Sequence, residues 1–551
     1  MIILELFLFF LSITIFSISF AGYGSFLTDK DKSNFFLDIF FGFILISLIV
    51  TSIHFFFKIN FSINILILFL GLIIFYKNKK NSLDLSKIFK RENFLKISVI
   101  LLLIPMFLSH KYHEDFGYYH LPYALTFLEE KIVFGLGNID VSHIYNSIWL
   151  NLYPLFFLEN RNFDYLTLPS FLLFLSFVLF SINKIYNRKH FKVSDYYLSI
   201  ILFYFLLKFT RLSEFGVDFP ATIFSILSIL YFIKYYESNG ISNKKSFFYY
   251  NFVFSIFSIL IKLSAIPIII LPIYIYFSNF KNFKFYIFNH KFLIVYFLCL
   301  IFLIQQFIYT GCFLFPTNLT CFNVNWFNAD HINLSKKLEL INKSYSLAKD
   351  EFTPEEYLSN FNWFSFWIKR NYIEIIEHLA TIVLPLLIFI FVLKKREESK
   401  IRFEKKIILY FFIFFSLLFW LYFSPVFRFA IHIFSTLVFL IFSIFLISRK
   451  FSKKKFIILV SIFLVFNFSK NILRINETGK VFLGVQKIEN KFILDDFNSN
   501  EHAKIYFPDV KNNEKNGWQG RLCWNTPFIC SYNKLDVSKK NGYLIINKLK
   551  N

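Results

Sequence analysis

The sequence predicts an all-α polytopic integral membrane protein with about fourteen spanning helices, and three observations predict it. Of its 551 residues 56% are hydrophobic and only 17% charged, where soluble domains carry about a quarter; mean hydropathy is +0.55. The apolar residues gather into runs approaching the length a bilayer demands, about 17 to 25 residues. Basic residues crowd alternate connections between those runs, as the positive-inside rule requires.

In chain order the apolar runs are 2–20, 36–57, 61–76, 97–109, 166–182, 196–209, 219–233, 247–261, 265–277, 292–309, 373–393, 407–423, 429–447 and 456–468. The shorter ones borrow flanking residues to cross. The first run lacks the basic n-region of a signal peptide and reads as a retained helix. The sidedness follows from four basic connections. Lys77, Lys79, Lys80, Lys87, Lys90 and Arg91 crowd one, and Lys184, Arg188, Lys189 and Lys192 a second. Lys394, Lys395, Arg396, Lys400, Arg402, Lys405 and Lys406 crowd a third, and Arg449, Lys450, Lys453, Lys454 and Lys455 a fourth. With these in the cytoplasm, residues 110–165, 210–218, 310–372 and everything after 469 lie outside. An even number of spans puts the N-terminus outside as well.

The domain organisation expected is a transmembrane unit over 1–470, with two large outer loops at 110–165 and 310–372, and a small extracytoplasmic tail over 471–551. The tail is polar, with Pro508, Gly517 and Gly520 punctuating short apolar stretches.

The net charge of +23 reads as cytoplasmic anchoring. No basic stripe or binding motif accompanies it, so nucleic acid is not an expected partner. The 85 phenylalanines accompany abundant Ile, Lys and Asn, the signature of A/T-rich codons. They read as generic lipid-facing residues, not as a ligand cage. Of five cysteines, Cys299 lies within a span and reads as a buried thiol. Cys312 with Cys321, and Cys523 with Cys530, form two close pairs on the expected oxidising side and read as disulfides. The rival reading, zinc, lacks a second Cys–His cluster near either pair.

Three places carry side chains suited to chemistry. The first outer loop opens with the adjacent carboxylates Glu114 and Asp115, followed by Tyr119, His120 and Pro122. Carboxylates at a membrane surface are solvated, paired or metal-bound. Here they are either an ordinary loop start or a base for a hydroxyl, with burial raising the pKa toward the working range. If 116–128 is helical, Phe116, Tyr119, Tyr123 and Phe127 share one face, predicting a helix along the membrane surface. The second place is the short loop from Arg211 to Pro220, where Asp218 suits an N-cap or a functional role. The third is a set of basic residues at outer span ends, which the positive-inside rule disfavours: Arg211, Lys262 and Arg428. Each either snorkels to headgroups or clamps a phosphate.

The order of these pieces resembles the GT-C glycosyltransferases, among them protein O-mannosyltransferases and bacterial lipid A sugar transferases. The resemblance rests on Glu114-Asp115 and Tyr119-His120-Leu121-Pro122, Gly216-x-Asp218-x-Pro220, Lys262-Leu263-Ser264, Tyr309-Thr310-Gly311 running into Phe315-Pro316, and Pro425 before Arg428-Phe429. Many relatives carry the acidic pair as Asp-Glu, soon after the first span; here it is Glu-Asp and three further spans intervene. The resemblance implies inverting transfer of a sugar from a polyprenyl-phosphate donor to a lipid, glycan or protein acceptor. Asp115, or else Glu114, would act as the base, with Tyr119, His120 and Asp218 binding substrate. Arg211, Lys262 or Arg428 would steady the departing phosphate, and a divalent metal is an optional participant. It also implies a bacterial cytoplasmic membrane with the site on the periplasmic face. The alternatives are a transporter or flippase of a lipid-linked saccharide, a polysaccharide polymerase or ligase, and a non-enzymatic assembly factor. Against transport, the sequence shows no internal repeat and its unusual charges lie at span ends.

Overall fold

A computed structural model describes residues 2–29, 34–79, 91–109, 115–157, 167–188, 191–210, 216–284, 286–395, 406–478, 492–495, 505–508, 522–523, 526, 528–532 and 535–547. It is mostly helical. In order the helices are α1 (Ile2–Gly24), α2 (Phe35–His54), α3 (Phe61–Lys79), α4 (Arg91–Leu108), α5 (Leu121–Glu129), α6 (Leu168–Tyr186), α7 (Val193–Lys208), α8 (Asp218–Tyr236) and α9 (Ile241–Ile261). They continue with α10 (Ile270–Ser278), α11 (Phe280–Phe283), α12 (His290–Thr310), α13 (Asp330–Asn342), α14 (Pro354–Leu358), α15 (Trp363–Val392), α16 (Lys406–Phe423), α17 (Ile431–Ile447) and α18 (Lys453–Thr478). Two antiparallel hairpins complete the chain: β1 (Phe492–Asp495) with β2 (Ile505–Pro508), and β3 (Asp536–Lys540) with β4 (Tyr543–Asn547).

Every apolar run read from the sequence coincides with a helix. Among the described residues nine helices are long and apolar enough to cross a membrane, so this is an integral membrane protein. Several display apolar side chains outward: Phe411, Phe414 and Leu418 on α16 are at least half exposed, which is stable only against lipid. Interhelical contact relies on small residues, as expected where lipid competes with packing. A Cβ added to Gly22 of α1 would lie 2.0 Å from the Gly71 oxygen of α3, and one on Gly42 of α2 would lie 2.1 Å from the Phe20 oxygen of α1. Larger side chains would push these helices apart.

Local chemistry sets the helix ends. Asn34 caps α2 by accepting from the Phe36 amide at 3.0 Å, satisfying one orphan donor. Gly311 ends α12 in the left-handed region, at φ 81°, where glycine carries no Cβ penalty. Asn541 and Gly542, both at positive φ, form the two-residue turn between β3 and β4 that suits the twist of a hairpin.

At one end of the bundle, residues 115–157, the second loop around Trp326 and the described residues of the tail interlock into a cap. The Phe134 amide donates to the Leu544 oxygen at 2.9 Å and its carbonyl accepts from Ile546 at 2.8 Å, so β4 extends across the first loop. Asn138 Nδ2 donates to the oxygens of Trp326 and Ile546, each at 2.9 Å. The Phe528 amide donates to Glu129 Oε2 at 3.0 Å. Both disulfides form, Cys312–Cys321 and Cys523–Cys530, and both lie in this cap. Cys299 is the free thiol. Replacing Cys312 and Cys321 together by Ala is expected to destabilise the cap by about 2–3 kcal/mol, the loop-closure entropy of a ring of about ten residues; thermal melts of the purified protein with and without reductant check this.

Two expectations need correcting. Residues 116–129 are helical as expected, a π-turn (Phe116–His120) running into α5, but their aromatic face packs inside the protein instead of lying open to lipid. Phe116, Leu121, Tyr123, Ala124, Leu125 and Phe127 are all buried, because the tail and the 3-10 turn Leu150–Phe156 cover the sides that would have faced lipid and water. The last long helix also runs past residue 470: α18 continues to Thr478, so Asn471 and Arg474 belong to the bundle and not to the tail.

Candidate active site

The site forms where the cap meets the ends of α8, α9 and α17. Asp218 is the first residue of α8, and Val217 occupies the N-cap. The N-cap role expected for Asp218 therefore does not hold, although a carboxylate in the first turn still complements the helix dipole. Its side chain turns sideways instead, to two cations. Lys262 ends α9 with an extended backbone, φ −152° and ψ 121°. This aims its ammonium at Asp218 Oδ1 and holds it 3.0 Å from the centre of the Phe429 ring. Arg428 sits in the short 3-10 turn Phe427–Phe429 ahead of α17, with Nε 2.8 Å from Asp218 Oδ2. Asp218 and Lys262 keep 15% and 18% of their side chains exposed, Arg428 41%. Asp218 thus bridges the two basic side chains, while the guanidinium retains open surface.

The first loop brings its own groups here. Asp115 immediately precedes the π-turn. Tyr119 lies within electrostatic reach of Asp115, Asp218 and Arg428. Burial and then the two carboxylates raise its hydroxyl pKa well above the usual range, with Arg428 opposing, so it remains a proton donor at neutral pH. The buried His120 ring stands edge-on to Tyr119, with centroids 4.1 Å apart. Asp115, Tyr119, His120, Asp218, Lys262 and Arg428 therefore share one locality. Glu114 and Arg211 lie outside the described residues.

Arg428 also lines a cavity of about 780 Å³ between α7, α8, α15, α17 and α18. Its walls include Leu207, Phe219, Leu384, Pro385, Ile388 and Phe463. Lys208, Lys470 and Arg474 join Arg428 as its cations. Lys208 pairs with Glu377 at 2.6 Å, and Arg474 donates to the Thr210 oxygen at 2.8 Å. Glu374 and His378 complete the polar part. Apolar walls with more cations than carboxylates at the mouth have the chemistry to match an amphiphile with an anionic head. Lys208 was recognisable in the sequence as another basic residue at an outer span end; Lys470 and Arg474 were obscured because α18 outlasts its apolar run.

Beside Tyr119 lies a polar patch that sequence reasoning missed. Tyr118 donates to Asp140 Oδ1 at 2.7 Å, and the same oxygen accepts from the Ser142 amide and hydroxyl at 2.9 and 2.7 Å. His143 Nδ1 lies 3.3 Å from the Ser142 hydroxyl. Burial pushes the His143 imidazole down to about 4, with Asp140 opposing. The Asp-x-Ser turn signal at 140–142 was legible, but its meeting with Tyr118 was not.

Beneath the patch a buried network fixes the loop to the bundle. Gln305 Oε1 accepts from Asn146 and Asn151, each at 2.9 Å, and its Nε2 donates to the Tyr309 hydroxyl at 2.9 Å. Asn151 also donates to Thr51 at 2.9 Å, and Tyr123 to Asn151 at 2.7 Å. Gln305→Leu would strand several of these groups in a buried setting. A loss of about 2–4 kcal/mol is expected from unsatisfied amides and hydroxyls, to be checked by melting temperature.

Among the described residues no three His, Cys, Asp or Glu side chains gather to hold a metal ion.

Fold and site define a polytopic helical membrane protein with a charged centre at the junction of its bundle and its cap. The chain belongs to the family described as Domain of unknown function (DUF8201), which matches residues 1–435. That span takes in the described first loop, Asp218, Lys262 and Arg428, and ends before α18 and the tail. No curated protein and no solved structure matches the chain.

Proposed function

We propose that this protein is an inverting membrane glycosyltransferase that moves a sugar from a polyprenyl-phosphate-linked donor to an acceptor on the outer face of the membrane. The observation that carries the reading is the apolar cavity whose cationic mouth shares Arg428 with the carboxylate centre. The prenyl chain lies against Leu384, Ile388 and Phe463, and the phosphate meets Arg428, Lys470 and Arg474. Asp218 and Lys262 position the Arg428 guanidinium, which matches phosphate oxygens through paired N–H donors. Asp115 takes the proton from the acceptor hydroxyl as its oxygen attacks the anomeric carbon. The bond from that carbon to the phosphate oxygen breaks, and polyprenyl phosphate departs with its new charge stabilised by the cations. The Asp140–Tyr118 patch beside Tyr119 supplies hydroxyl and carboxylate partners for the acceptor.

In this reading about fourteen helices span the bilayer, the shorter apolar helices being completed by flanking residues and neighbours. The cap faces the periplasm of a bacterium, and the basic connections face the cytoplasm. The protein reconstituted in liposomes with a polyprenyl-phosphate-linked hexose tests the reading. Release of polyprenyl phosphate coupled to labelling of an acceptor supports it; an intact donor under all acceptors tried, with the same donor carried across the bilayer, favours a flippase instead.

A further inference from the structure

A second pocket lies at the opposite end of the bundle, about 580 Å³ in volume, between the ends of α6 and α8 and the beginnings of α2, α7 and α9. Lys184, Arg188, Lys192 and Lys234 line it, over an aromatic floor that includes Tyr231 and Tyr250. Basic residues at this end are expected from topology alone, and such side chains ordinarily snorkel toward water and headgroups. Lys234 does the reverse. It is 3% exposed, and its ammonium has no hydrogen-bond partner among the described residues. It rests 4.8 Å from the Tyr231 ring centre and 5.6 Å from that of Phe180. A buried ammonium without a hydrogen-bond acceptor is costly, and Lys184 and Arg188 lie within electrostatic reach of it.

Two carboxylates lie within the same reach, and both are engaged. Asp195 Oδ2 accepts from the Lys192 amide at 2.9 Å, and its Oδ1 lies 3.4 Å from Arg188 Nε. Glu237 accepts from the Ser194 amide and hydroxyl at 2.7 and 2.6 Å. Among the described residues the four basic side chains that line the pocket outnumber Asp195 and Glu237; Asp38 and Asp29, within electrostatic reach of the aromatic floor, are engaged by the Thr28 hydroxyl and by Lys291. The beginning of α9 adds to this: Gly240, its N-cap, provides no side-chain acceptor and lines the pocket with Asn243, which brings the positive end of the helix dipole to the pocket.

We propose that this pocket binds a phosphate group, with Lys234 as its buried anchor and Arg188 and Lys184 closing over it. The group is either the headgroup of an anionic phospholipid of the facing leaflet or part of a soluble phosphorylated compound. The site is independent of the glycosyltransferase reading, because it lies at the other end of the bundle.

The test uses the full chain in phosphatidylcholine nanodiscs. Inorganic phosphate is titrated in one arm. In the other, phosphatidylglycerol is included and its retention is read by native mass spectrometry, with melting temperature followed in both. Wild type is expected to show a saturable rise with at least one probe, weakened about tenfold or more in Lys234→Met, the scale of a lost charged hydrogen bond. Saturation by inorganic phosphate assigns a soluble ligand; retention of phosphatidylglycerol alone assigns a headgroup. Lys234→Met keeps the aliphatic stem and removes the buried charge, so without ligand it is expected to melt no lower than wild type. Arg188→Gln gives a second reading of the same loss if that variant fails to fold. Saturable binding by neither probe, or undiminished binding in a folded variant, overturns the proposal.

Discussion

Asp115→Asn is expected to lower the rate of sugar transfer about 10²- to 10⁴-fold, the usual contribution of a positioned base, with membrane insertion and melting temperature little changed. The amide preserves shape and polarity but cannot take a proton from the acceptor hydroxyl. Single-turnover kinetics with bound donor separate this from a binding defect. The donor should load normally while the transfer step slows, because the donor cavity is lined by Arg428 and not by Asp115. A slowed rate that recovers fully at saturating acceptor would make Asp115 an acceptor-binding group instead of the base.

Asp218→Ala is expected to damage both fold and function. It leaves Lys262 and Arg428 facing each other with their shared anion gone. Breaking a buried ion pair from one side costs about 3–5 kcal/mol. The low end, about 3 kcal/mol, applies here because Arg428 retains 41% of its side chain exposed and solvent screens it. Asp218→Asn should cost less, since it still accepts hydrogen bonds. Adding Lys262→Met to Asp218→Ala should restore much of the stability by removing the uncompensated ammonium. It should not restore transfer, because Arg428 would remain without the carboxylate that aims it. Thermal melts and transfer rates on the same preparations check all three variants. Equal recovery of both would mean that the ion cluster is structural alone.

The helices were legible because each depends on local composition. The apolar runs at 36–57 and 407–423 fall on α2 and α16 almost residue for residue. The disulfides were legible for the same reason, each closing a short segment. Arg428 and Lys262 stood out because a cation at an outer span end breaks a strong regularity. What escaped notice was whatever distance along the chain conceals. Nothing local in Asp218 says that it meets both Lys262 and Arg428: Asp before an apolar run suits a helix cap as well as a functional role. Phe134 carried no sign that β4 would pair with it across the length of the chain. The helix after Asp115 carried a one-sided aromatic pattern that a lipid surface explains, but the tail and the turn at Leu150–Phe156 enclose it. Nothing in the sequence sets Lys234 apart from the other lysines; its burial does.

The most direct measurement is mass-spectrometric profiling of membrane glycans and glycolipids in wild-type cells, a deletion strain, and that strain expressing Asp115→Asn at matched levels. The proposal predicts one species shortened by a single sugar in the deletion strain and in the Asp115→Asn strain, with wild-type protein restoring it. A complete wild-type profile in the strain carrying Asp115→Asn would contradict the mechanism, and an unchanged profile in the deletion strain would contradict the glycosyltransferase reading itself.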